Sequence, residues 1–219
     1  EQRLEQERRD KQRLADELNA QAEALRRQQA ARPDAGVRPK TPPVVTHPEG
    51  MPALLPRQGA CPLGARLVTT SGHSYCIDLY EYPGGNTIPR TNVSLADSYH
   101  ICAARGERLC AEGEWEHACR GKGNASYPYG QAFEATRCNT KGTGGEPAPG
   151  GTFASCKSAV GAYDMSGNVA EWVASGAQKG GNAREGARDL RCSAVTRGAP
   201  AAGGALVGFR CCADPIGKH

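Results

Sequence analysis

Hydrophobic positions along this 219-residue chain fall into three regimes. From 1 to 30, isolated leucines stand among Glu, Gln, Arg and Ala with no Gly or Pro, a run of strong helix formers. Opposite charges recur at helical spacing, Glu1 and Glu5 toward Arg8 and Arg9, and Glu23 toward Arg26 and Arg27. A heptad frame places Leu4, Lys11, Leu18 and Leu25 at one seam position and Arg8, Ala15 and Ala22 at the other. Charges in the seam make this a weak coiled coil. The pattern predicts a charged helix over 1–30, either solvated or serving as an oligomerising or partner-binding element. From 31 to 59 the pattern stops at Pro33, Pro39, Pro42, Pro43, Pro48, Pro52 and Pro56, which forbid a helix and favour an extended stalk or linker.

Residues 60–219 hold the only candidate core. Strand patterns occur over 65–70 and 75–79. Ser94 is placed to cap a helix on which Leu95, Tyr99 and Cys102 share a face, with Gly106 as its stop. A second helix is predicted over Glu112–Arg120, with Trp115 and Cys119 inward. Glu114 and Glu116 flank Trp115 on different faces and read as surface charges rather than an acid–base pair. Beyond it the chain is Gly-rich and irregular up to a last strand over 207–212.

Composition changes this picture in two ways. A net charge of +4 from 27 basic and 23 acidic residues is too balanced for a nucleic-acid binder, so no nucleic-acid partner is expected. No apolar run approaches the roughly 18–20 residues of a membrane span. The chain opens at Glu1 without Met or signal pattern, and is expected to be a piece of something longer. The louder feature is cysteine: all 10 fall between Cys61 and Cys212. An even number in one globular segment argues for disulfides and an oxidising compartment, and no C-x₂-C pair supports zinc. Cys211 and Cys212 are adjacent, and neighbours on a strand point to opposite faces, so each is expected to reach a different partner. Counting alone leaves the pairing open.

In order along the chain stand CAARGERLCAEGEWEHAC over 102–119, YPYG over 127–130, GAYDMSGNVAEW over 161–172, Gly180-Gly181, and GFRC over 208–211. This set resembles the formylglycine-generating-enzyme, or sulfatase-modifying-factor, family over about residues 74–213. The resemblance implies an α+β, irregular, disulfide-rich domain of C-type-lectin-like fold over 60–219, preceded by the helix and linker. It also implies the pairs Cys102–Cys211 and Cys119–Cys192. Cys110 and Cys212 are extra relative to the family and are assigned to each other, which leaves Cys61 with Cys76 and Cys138 with Cys156. The pairing of these six is otherwise left open.

The family's oxidases oxidise a substrate cysteine with oxygen and a copper ion held by two thiolates, soft ligands suited to Cu(I). Those cysteines belong between the Gly pair and the cysteine matching Cys192, where this chain has none. His47, His73, His100, His117 and His219 offer no metal-ligand spacing in their place. Copper is therefore not expected. Structural calcium is: the resemblance makes the side chains of Asp164 and Glu171 and the carbonyls of Gly167 and Val169 its ligands, a hard-oxygen set. A second family calcium site would begin at Asn139 and Thr140. These readings favour a non-catalytic binding or assembly module, with enzyme status left open. It would be extracytoplasmic (bacterial periplasm, cell surface or secreted) and recognise a protein or cell-envelope ligand through the 182–191 segment. Asn182, Arg184, Glu185, Arg188 and Arg191 are the candidate ligand surface. The rivals are a copper-dependent oxidase acting on substrate cysteines, and a structural subunit of a membrane-anchored assembly or homo-oligomer docked through 1–30.

Overall fold

A computed structural model of the chain describes residues 57–197 and 202–217; the helix expected over 1–30 and most of the linker lie outside the described residues. The first described element is a small ribbon, β1 (Arg57–Gln58) against β2 (Cys61–Pro62). β3 (Ala65–Thr69) and β4 (Ser74–Asp78) follow as an antiparallel hairpin closed by Thr70 N–H donating to His73 O at 2.8 Å. The two strands expected there are present: Val68 packs with Tyr75 and Ile77 on the core side, Arg66 and Leu67 stay exposed at the sheet edge, and Tyr75–Asp78 of β4 is buried on both faces.

Helix α1 (Leu95–Ala104) starts at Ser94, whose Oγ accepts the Asp97 N–H at 3.0 Å while the Asp97 carboxylate accepts the Ser94 N–H. It stops where Gly106 takes φ +74°, a left-handed turn favouring glycine. The buried face differs from the expected one. Ser98 and Cys102, one turn apart, are its buried residues, whereas Tyr99 is 39% exposed and reaches across to donate its hydroxyl to Ala174 O at 2.6 Å. After β5 (Arg108–Leu109) comes α2 (Glu112–Arg120), which buries Trp115, Ala118 and Cys119.

The stretch expected to be irregular carries three short strands, β6 (Ala170–Trp172), β7 (Gln178–Lys179) and β8 (Val195–Thr196). They form the sheet β8-β7-β6-β9 with β9 (Val207–Phe209), and β6 and β9 run parallel. The other sheet is β3-β4-β10-β5, with β10 at Cys211–Ala213. The single strand expected over 207–212 is thus two strands in two sheets. Arg210 lies between them, fully buried, because its side chain turns into the interior where the chain passes from one sheet to the other.

Five disulfides tie these layers: Cys61–Cys76, Cys102–Cys211, Cys110–Cys212, Cys119–Cys192 and Cys138–Cys156. Cys211 packs with Trp172, Phe209 and Leu109, and Cys212 with Trp115, Met165 and Ile77, so β10 is anchored on both faces. With sequence separations from 15 to 109 residues, the chain-entropy account assigns each bridge about 3–5 kcal/mol. A core this poor in large aliphatics needs that contribution. Five bridges also place the domain in an oxidising, extracytoplasmic environment.

Candidate functional site

The turn from 164 to 171 is built from backbone conformations that few residues adopt. Asp164, Gly167 and Asn168 have φ of 57°, 82° and 56°. At Gly167 a Cβ would stand 2.0 Å from Asn139 O, so only glycine fits. Asn168 holds the turn from inside. Its amide donates to Glu81 Oε2 at 2.5 Å and to Ala148 O, its carbonyl oxygen accepts from Asn139 Nδ2 and Ala148 N–H, and its backbone N–H reaches Asn139 O.

Around this turn sit three buried carboxylates, Glu81, Asp164 and Glu171, and one buried guanidinium, Arg210. Arg210 grips Glu171 in a bidentate pair, at 2.6 Å to Oε1 and 2.7 Å to Oε2, and Trp115 Nε1 adds a third bond to Oε2 at 2.7 Å. One cation for three carboxylates leaves an excess of negative charge. Burial, with Asp164 and Glu171 close by, pushes the Glu81 carboxyl well above its ordinary range. Burial likewise raises Asp164 to about 6. Arg210 moves upward despite its burial, because Glu171 faces it.

The oxygens of the expected calcium set divide in an instructive way. The carbonyls of Gly167 and Val169, both buried, accept no hydrogen bond from the described residues, whereas that of Asn168 between them accepts Ala183 N–H. Asp164 binds Gly151 N–H through Oδ2 alone, and Glu171 Oε1 has one donor where Oε2 has two. Orphaned buried carbonyls are uncommon and need a partner. Here they alternate with a satisfied one in a region of excess negative charge, and this donor set fits a hard cation. Asn139 and Thr140 differ: their side chains bond Asn168, Glu146 and Thr143, and Ala135, and serve the loop itself.

The 182–191 segment is a pinned loop. Tyr127 donates its hydroxyl to Ala187 O at 2.8 Å and Ser166 to Leu190 O at 2.6 Å, while Lys141 N–H reaches Glu185 O. Of the five candidate ligand residues, the structure turns two inward. Glu185 Oε2 accepts the Asn182 N–H at 2.9 Å, and Asn182 Oδ1 accepts the Arg184 N–H, so this pair closes the turn. Arg184 folds back onto Gly145 O and Glu146. Arg188 and Arg191 remain exposed. No cysteine of the chain is a free thiol.

Glu114 is a correction. Expected at the surface, it is 8% exposed and binds Arg108 through two bonds of 2.7 Å, while closing the start of α2 by accepting Ala111 N–H at 2.8 Å. The cause is tertiary: β5 delivers Arg108 to the N-terminus of α2, and His73 of the hairpin adds a contact at 3.0 Å. Burial raises the Glu114 carboxyl, and the bonds from Arg108, His73 and Ala111 outweigh it and hold it at about 2. Glu81 and Arg210 were also missed by sequence reasoning. Arg210 stands inside the GFRC motif, the one signal that marks it.

Comparison with known proteins gives a consistent picture. Residues 69–215 match the family described as sulfatase-modifying factor enzyme 1-like domain. The protein named inactive C-alpha-formylglycine-generating enzyme 2 of Mus musculus is 34% identical over 151 residues, covering 57% of this chain and 48% of the mouse protein. Hercynine oxygenase of Mycolicibacterium smegmatis is 36% identical over 100 residues, 43% of this chain and 23% of its own. The chain thus spans less than half the length of either relative. Among solved structures, PvdO from Pseudomonas aeruginosa superposes with a TM-score of 0.55 at 21% identity, over 67% of this chain and 82% of PvdO, a likeness of fold.

Proposed function

This chain belongs to the sulfatase-modifying factor enzyme 1-like family, and from that membership we propose that it is a non-catalytic binding or assembly module rather than an oxidase. One observation carries the reading. All ten cysteines are consumed in five disulfides, and the segment where the resemblance places the copper thiolates is a cysteine-free loop pinned to the scaffold. A soft-ligand copper site has nothing to form on there. What the loop presents instead is net cationic: Arg188 and Arg191 face solvent, with one exposed carboxylate, Asp189, between them, on a backbone held by Tyr127 and Ser166. That suits a protein or cell-envelope ligand carrying anionic groups, in the periplasm, at the cell surface or in a secreted form.

Calcium enters as a structural cofactor. Asp164, Gly167, Val169 and Glu171 would hold it, and its charge would offset the excess of carboxylate around Arg210. Within the domain, Asn168 and Glu81 shape the turn and Arg210 orients Glu171. The relative named as inactive supports a non-catalytic member of this family.

Two measurements test the proposal on the full chain. Incubation with Cu(I), oxygen and a cysteine-bearing peptide is expected to leave the peptide unoxidised by mass spectrometry; turnover to an aldehyde sinks the non-catalytic reading. Arg188→Ala with Arg191→Ala is expected to abolish retention on immobilised cell-envelope extract at unchanged melting temperature. Undiminished retention removes the loop from consideration as the ligand surface.

A further inference from the structure

The first sheet ends on β3, an edge strand. Two backbone bonds show which of its residues face β4: Thr70 N–H to His73 O at 2.8 Å and Leu79 N–H to Gly64 O at 3.0 Å. With Leu67 opposite Cys76, the alternation of an antiparallel pair turns the amides and carbonyls of Ala65, Leu67 and Thr69 outward. Those of Leu67 and Thr69 meet no partner among the described residues. Such an edge is a ready template for another chain.

The ground beside it has a consistent chemistry. Leu63 and Leu67 are 54% and 45% exposed. A furrow of about 430 Å³ runs along the strand, with Val68 and Val160 among its apolar lining and Arg66, His117 and Lys122 among its polar lining. It is continued by depressions past Thr69 and Ser71 on one side, and past Leu67, Leu79 and Cys61 on the other. No Asp or Glu lines any of the three. Arg66, His117 and Lys122 form no ion pair among the described residues.

We propose that the β3 edge and its furrow take up an extended acidic peptide segment of a partner protein, added as a strand beside Leu67 and Thr69. Outward donors and acceptors on alternate residues are satisfied together only by another extended chain. Side chains alternate along a strand, so apolar side chains of that segment would cover Leu67 on one face of β3 and its carboxylates would meet Arg66 and Lys122 on the other. A second copy of this chain fits less well, since it would bring its own Arg66 and Lys122 to the same margin. The surface shares no residue with the 182–191 loop, so it stands or falls independently of the function proposed above.

The test is amide hydrogen exchange on the full chain. The probe is a synthetic peptide alternating Glu with Val and Thr, and its control carries Lys in place of Glu. The acidic peptide is expected to slow exchange at Leu67 and Thr69 by about tenfold or more, and the basic one to leave it unchanged. Leu67→Pro removes one outward donor at a position where an edge strand accepts proline, and is expected to abolish binding. Arg66→Glu with Lys122→Glu, which leaves the backbone alone, is expected to weaken it by about tenfold. Equal binding of both peptides, or binding undiminished by the charge reversal, overturns the proposal. So does protection of Leu67 and Thr69 without peptide: at all dilutions it means the chain covers its own edge, and with a concentration dependence it means a second copy does.

Discussion

Glu114→Gln removes one negative charge from the start of α2 while keeping the side chain's size. At about 1.4 kcal/mol per pH unit, a carboxyl held at about 2 rather than 4.5 stabilises the fold at neutral pH by roughly 3 kcal/mol. Solvent screening takes part of this: Glu114 is 8% exposed, but its partners Arg108 and His73 are 36% and 55% exposed. The folded-state value lies below the unfolded one, so the stabilisation is complete above pH 4.5 and is lost as pH falls from there to about 2. The substitution leaves Arg108 half-buried with Asp214 as its remaining partner, itself 77% exposed, and weakens the bond to Ala111 N–H. We expect a loss of about 2–3 kcal/mol at pH 7, which for a domain of this size lowers Tm by roughly 5–10 °C. Chemical and thermal unfolding followed by circular dichroism, repeated from pH 7 to 2 on both proteins, measures it. The two stability curves should converge as acid protonates Glu114 in the parent. Curves that stay parallel down to pH 2, or coincide at pH 7, refute the reasoning.

Three further outcomes follow from the same structure. Gly167→Ala is expected to destabilise by at least about 3 kcal/mol or block folding, since its Cβ would lie 2.0 Å from Asn139 O, whereas Gly113→Ala meets open space in α2 and should stabilise by about 0.5–1 kcal/mol; urea unfolding of the pair decides. Calcium at about a hundred times its dissociation constant should stabilise the protein by about 2.7 kcal/mol in a calorimetric melt, and Asp164→Asn should remove most of that gain; a calcium-independent melt of the parent rules the ion out. Ser94→Ala, which deletes the acceptor for Asp97 N–H, should cost about 1 kcal/mol by the same unfolding assay, and an unchanged midpoint would show that α1 is held by packing alone.

How much could be read from residues alone depended on the range of the interaction involved. Ser94 and Gly106 bound α1 because capping and left-handed turns act within a few residues. The β3–β4 hairpin and α2 are legible for the same reason. Strands β6, β7 and β8 are two or three residues long, too short for any periodicity; β7 folds back on β6 across a short turn, and β9 and β8, from farther along the chain, complete their bonds. Tyr99 satisfied the helical spacing of a buried face, yet the helix turned its Ser98 side inward and left the ring to bridge to Ala174.

The sequence by itself determined that this domain is stapled, where its two helices begin and end, and, through its motifs, which family it resembles. It also determined that the loop before Cys192 carries no sulfur. Only the tertiary structure decided which charges matter. Glu114 and Glu116 flank one tryptophan, and the fold gives each a cation: Glu114 is buried against the half-buried Arg108, and the partly exposed Glu116 holds the fully buried Lys179. Glu81, Asp164, Glu171 and Arg210 are spread over 130 positions of chain before the fold gathers them around one turn. The physical reason is the same in each case. Backbone preferences are set by nearest neighbours, whereas desolvation and charge pairing depend on what the fold brings near, whatever the separation along the chain.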